Sequence, residues 1–165
     1  MLRVRPVDIQ QDRQSLLEFH CATTFSDESP IVVQQGYEQY RRRWLSTELP
    51  STFLFEVEDS LTDPRMIAEV WLDDDEVAGY VWVTFSEIPD FNLSVAEVQD
   101  LSVWPAQRRK GIGSRMLTHV EELVRLRGAD LLRAETSVDN QGAQALLRKF
   151  GIQPRHIALE KVLSD

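Results

Sequence analysis

Two hydrophobic rhythms divide this chain into elements. Residues 2–7 alternate, Leu2, Val4 and Pro6 against Arg3 and Arg5, and this period of two predicts a first strand. Asp8 or Asp12 then caps a helix running to about Thr24 through Leu16, Leu17 and Phe19. After a turn at 26–30, a second helix is predicted over roughly 32–47. Tyr37, Tyr40 and Trp44 form its inward stripe, with Arg41, Arg42 and Arg43 beside them in solvent. A shorter helix starts at Pro50, carries Leu54, Val57 and Leu61 on one face, and stops at Asp63-Pro64. Strands are predicted at 66–72 and 77–85, joined by the acidic hairpin turn Asp73-Asp74-Asp75-Glu76. A loop over 87–94 leads to a strand at 95–103. The rhythm then changes to 3.6: Met116, Leu117, Val120, Leu123 and Val124 line one face of a helix over 112–127, closed by Gly128. A strand at 131–137, a helix to Phe150 capped by Asp139 or Asn140, and a last strand at 157–163 complete the pattern.

The order of elements predicts a mixed α/β domain. The strand, helix and strand around Gly111 require a parallel right-handed crossover. No repeat, low-complexity stretch or linker interrupts the chain, so residues 1–165 read as one domain. Composition agrees: 42% hydrophobic and 27% charged, with no apolar run of membrane-spanning length. The charged, strand-like Met1-Leu2-Arg3-Val4-Arg5 does not read as a signal peptide. A single cysteine, Cys21, rules out an internal disulfide and a cysteine-based metal cluster. The cytoplasm is the expected compartment. Consecutive carboxylates on the 73–76 turn do not converge well on a cation, and no metal site is expected.

A net charge of −9 argues against nucleic acid or an anionic membrane as partner. Against that background, Arg108, Arg109, Lys110 and Arg115 gather around two glycines, Gly111 and Gly113, between a strand and a helix. Unpaired N–H groups and the dipole of a helix start favour an anion there, and glycine lets the backbone come close to it. The spacing fits neither a Walker A loop nor a dinucleotide fingerprint, which would need a glycine where Met116 stands. What remains is Arg108-x-x-Gly111-x-Gly113, preceded by Val103-x-Pro105.

That motif resembles the core signature of the GCN5-related N-acetyltransferases, the GNAT family. Asn140-x-x-Ala143-x-x-Leu146, followed by Lys149-Phe150-Gly151, resembles the family's second signature. The resemblance implies a GNAT-type fold, a mixed and mostly antiparallel sheet of about six to seven strands flanked by helices. It also implies acetyl-CoA as donor. Backbone amides of Arg109, Lys110, Gly111, Ile112, Gly113 and Ser114 would then wrap the pyrophosphate, with Arg108 and Lys110 adding charge. The strand before the turn would splay from its parallel neighbour, so that Leu101 and Val103 offer backbone groups to the pantetheine arm. Asn140 either contacts that arm or simply caps its helix.

The implied reaction moves an acetyl group to a primary amine, small-molecule or protein. A carboxylate takes the ammonium proton and a backbone N–H, at Leu101, stabilises the oxyanion. Glu97 matches the base of the family's histone-type branch. Asp100, three residues on, would fall on the opposite strand face by simple alternation, and Glu97 is preferred. The family's usual acid, a tyrosine, is replaced by Leu147. Tyr80 and Ser137 are substitutes, or the thiolate leaves unassisted. That departure leaves a second reading, a non-enzymatic acyl-CoA sensor. His20, His119 and His156 are scattered and read as structural. Monomer and homodimer are equally compatible with the sequence.

Overall fold

The computed structural model describes residues 1–163. Its element order is β1 (Leu2–Pro6), α1 (Ile9–Asp27), α2 (Pro30–Val33), α3 (Tyr37–Leu45), α4 (Leu49–Ser60), β2 (Ile67–Asp73), β3 (Glu76–Ile88), β4 (Leu93–Val103), α5 (Ile112–Leu126), β5 (Leu131–Ala134) and α6 (Gln141–Lys149). The strands form one sheet in sequence order, β1-β2-β3-β4-β5. Neighbours are antiparallel except β4 and β5, which run parallel across the α5 crossover. The mixed, mostly antiparallel sheet flanked by helices is therefore present, with five strands among the described residues.

The two faces of β3 explain its unbroken apolar run. Tyr80 and Trp82 point to one side, where Leu16 and Phe19 of α1 and Phe53, Leu54 and Val57 of α4 cover them. Val81, Val83 and Phe85 point to the other, onto Met116, Val120 and Val124 of α5. A strand covered on both faces cannot alternate polar with apolar. Gly79 marks the closest approach. A Cβ there would lie 2.9 Å from the Ser102 carbonyl oxygen and 3.0 Å from Met116 Sδ.

Two expectations need correction. The helix expected over 32–47 is two, α2 and α3, because Gly36 sits between them at φ +86, outside helical geometry. The strand expected over 157–163 does not form, and Leu159 is 91% exposed. Alternation in that segment reports strand propensity but supplies no partner. β5 stops at Ala134 and pairs only with β4 among the described residues.

Candidate active site

The site starts from an interruption in the sheet. β4 pairs with β5 only from Val95 to Val98. On its other side β4 pairs with β3 all the way to Val103, but the register slips: Val83 faces Val98 and Trp82 faces Asp100, leaving Gln99 unmatched. A bulge of this kind bends a strand and sharpens its twist. Beyond it, residues 99–103 have β3 on one side and no strand on the other. The amide of Trp104 donates to the Ala78 carbonyl at 2.9 Å. Antiparallel alternation therefore turns the peptide groups of Leu101 and Val103 away from β3, into the open seam. Their side chains pack on the α5 side of the core.

This seam runs into the glycine turn. Gly111, at φ +79, is the N-cap of α5, and no side chain caps that end. The first-turn N–H groups are thus left without intrahelical acceptors and face outward beside Arg109, itself at φ +67. Arg108 folds back so that its Nε donates to the Val103 carbonyl at 3.0 Å, closing the turn on its own strand. Lys110 Nζ donates to Gln107 Oε1 at 2.6 Å. Gly113 lets α6 come near: a Cβ there would be 3.3 Å from Leu146 Cδ2. Lys149 of the second signature, at the end of α6, places Nζ 3.4 Å from Ser114 Oγ and adds a cation to which the sequence alone assigns no site role. Asn140 is a helix cap in this structure, its Oδ1 accepting from the Ala143 amide at 3.1 Å.

The two candidate carboxylates do not fall on opposite faces. Glu97 lies opposite Thr84 and Asp100 opposite Trp82, so both project toward the α1 side, because Gln99 consumes one step of the alternation. They differ in surroundings. Glu97 is partly exposed, in the stretch still paired with β5. Asp100 is 2% exposed and lies in the seam. Its Oδ2 is 2.8 Å from Nδ1 of His20 on α1. Burial pushes the Asp100 carboxyl above the usual carboxylate range, and the His20 hydrogen bond pulls it back.

Other groups converge on the same spot. Asp27, at the end of α1, accepts from the Ser137 amide at 2.9 Å and so spans from α1 to the chain beyond β5. Burial raises its carboxyl, opposed by that hydrogen bond, with the charges of Asp100 and Glu135 adding to the rise. The Tyr80 hydroxyl is fully buried and has no hydrogen-bond partner among the described residues. Burial, with the Asp100 charge second, pushes it far above the ordinary phenol range. Leu147 is half-buried on α6. Of the other histidines, His119 bonds Glu69 at 3.0 Å and packs edge-on to Trp71, while His156 is exposed. His20 escaped sequence reading because its partner lies 80 residues away and neither residue sits in a motif. Arg41 pairs with Glu18, its Nε 2.9 Å from Oε2, so it is held within the helical layer.

The site is thus a mixed sheet opened along one strand, leading to an uncapped helix start with cations beside it. The GNAT acetyltransferase family model matches residues 30–152, and the chain belongs to that family. It is an acetyltransferase. Aminoalkylphosphonate N-acetyltransferase of Salmonella typhimurium strain LT2 is 28% identical over 104 residues, 63% of this chain and 68% of that protein. Among solved structures, a transcriptional regulator from Bacillus halodurans C-125 superposes with TM-score 0.70 at 18% identity, covering 99% of this chain and 100% of that one. An aminoglycoside acetyltransferase from an uncultured soil sample gives 0.66 at 19% identity, covering 99% of each. At these identities the structures speak for the fold. Among the described residues no helix is long and apolar enough to cross a membrane.

Proposed function

We propose that this chain transfers the acetyl group of acetyl-CoA to a primary amine by direct attack on the thioester. The observation that carries the reading is the open seam of β4, running straight into the N-terminus of α5. Outward peptide groups of Leu101 and Val103 hydrogen-bond the pantetheine arm as an added strand would. The amides of Arg109 to Ser114 hold the pyrophosphate, with Arg108, Lys110 and Lys149 supplying charge. The amide nitrogen of Asn140 reaches the coenzyme arm while its oxygen caps α6. The Leu101 N–H lies where a thioester oxygen at the end of that arm gains negative charge.

An amine acceptor agrees with the field on the α1 side. The charges of Asp100 and Glu135 add to the rise of the Asp27 carboxyl, and carboxylates gathered on this side attract an ammonium. Asp100 and Glu97 are the carboxylates available for its deprotonation. The compartment consistent with this chemistry and a single buried thiol is the cytoplasm.

The test has two arms. Acetyl-CoA is expected to raise the melting temperature, by roughly 2.7 kcal/mol of stabilisation at a hundredfold excess over Kd. Thiol release is then followed across a panel containing an aminoalkylphosphonate, a diamine, free lysine and a peptide N-terminus. Turnover with an alcohol but no amine, or no thermal shift with acetyl-CoA, defeats the proposal.

A further inference from the structure

We infer that His20 is the catalytic residue that takes the proton from the attacking amine, and that Asp100 is its positioning residue. The inference rests on the amine-acetylation reading above and assigns the base that reading leaves between carboxylates.

The geometry is that of a base and its orienter. Asp100 lies almost wholly out of solvent and accepts from His20 Nδ1 at 2.8 Å. A carboxylate at Nδ1 fixes the proton there, so Nε2 carries the lone pair. The ring cannot swing freely. It stacks on Phe53 of α4 at 3.8 Å between centroids and 3° between planes, and Trp44 of α3 closes another side at 5.9 Å. Its side chain is nonetheless 22% exposed, so a ligand can reach it. Asp100 directly precedes Leu101, so the held imidazole stands beside the stretch of strand proposed to bind the thioester. Among the described residues Glu97 has no such partner, and it lies before the bulge.

The step balances without any further reagent. The ammonium gives one proton to Nε2, and the Asp100 carboxylate stabilises the imidazolium. The amine lone pair forms the N–C bond at the carbonyl carbon. Collapse breaks the C–S bond and leaves the electron pair on sulfur. The second nitrogen proton neutralises that thiolate, and His20 returns its proton to water. No tyrosine is needed, which fits Leu147 at the family's usual tyrosine position. The titratable groups coupled to Asp100 are Tyr80 on β3 and Asp27 at the end of α1, and Asp27 in turn feels the charge of Glu135 beyond β5. From α3 and α4, the uncharged rings of Trp44 and Phe53 pack against the imidazole.

His20→Gln is expected to lower kcat by about a hundredfold, with the acetyl-CoA thermal shift unchanged and the acid limb of the kcat/KM profile abolished. His20→Ala is expected to recover activity with added imidazole. Asp100→Asn keeps the side-chain volume. It is expected to lower kcat by at least tenfold and to displace the acid limb, and it decides the matter if the His20 variants do not fold. A His20→Gln enzyme with wild-type kcat and an unmoved acid limb overturns the inference. So does loss of that limb in Glu97→Gln alone. Either result leaves acetyl-CoA binding and amine acetylation standing. Failure of the wild-type protein to turn over any amine would instead count against the function itself.

Discussion

Two glycines of this fold are required for opposite reasons, and substitution separates them. Gly111 has nothing within 4 Å of where a Cβ would stand, but its φ is +79. Gly79 has no such backbone demand, and its Cβ would strike the Ser102 carbonyl at 2.9 Å. Gly111→Ala is expected to cost about 1–2 kcal/mol from the left-handed backbone alone. It should also shrink the acetyl-CoA thermal shift, since relaxing φ moves the first-turn amides. Gly79→Ala is expected to cost about 1–3 kcal/mol by overpacking, with coenzyme affinity in the folded fraction near wild type. Paired urea titrations, with and without acetyl-CoA, check both. At this scale the glycine turn that opens α5, proposed to hold the coenzyme, was legible as a turn, because Arg108, Gly111 and Gly113 sit within six residues. The His20–Asp100 pair was not. Its meaning lies in a contact between α1 and β4 that no local pattern announces.

The helices depend on ties that the sequence only half reveals. The sequence places Arg41 in solvent beside an aromatic stripe. In the structure it grips Glu18 with both Nε and Nη2 and locks α3 to α1. That hydrogen bond holds the Glu18 carboxyl below its usual range, against a smaller upward push from burial. A depressed carboxyl stabilises the fold above its unfolded-state pKa, and the benefit is lost as pH falls through the folded one. The urea midpoint of Arg41→Met is therefore expected below wild type at pH 7. The gap should narrow as pH falls below the ordinary glutamate range, and a gap that stays constant would assign the loss to packing. Among elements, β3 was legible from its apolar run and α5 from its 3.6 rhythm. The break between α2 and α3 was signalled by Gly36 but masked by the apolar spacing on either side. The segment 157–163 shows the converse error, a strand pattern with no neighbour to pair with. The bulge at Gln99 had no signal at all, since neither glycine nor proline marks it.

Across the whole molecule, two helical layers bury β3 from both sides, while the sheet comes apart between β4 and β5. α1 works on both banks of that opening. His20 reaches β4 and Asp27 reaches Ser137 beyond β5. Amide hydrogen exchange should report the asymmetry along β4. Leu101 and Val103 are expected to exchange faster than Asp100 and Ser102, whose amides face β3, and to slow when acetyl-CoA binds. Equal protection along 100–103 would mean the seam is closed in solution. In the language of crystals, Gln99 is a dislocation: one extra unit in one row, with the lattice regular on either side and a crack beginning where it sits. Removing the extra unit should heal the crack. Deletion of Gln99 leaves Glu97 and Asp100 on the α1 side and Val98 and Leu101 toward α5, so the core is conserved. It removes only the bend that parts β4 from its neighbour. The deleted protein is expected to melt no lower than wild type and to have lost acetyl-CoA binding, its active site annealed into ordinary sheet.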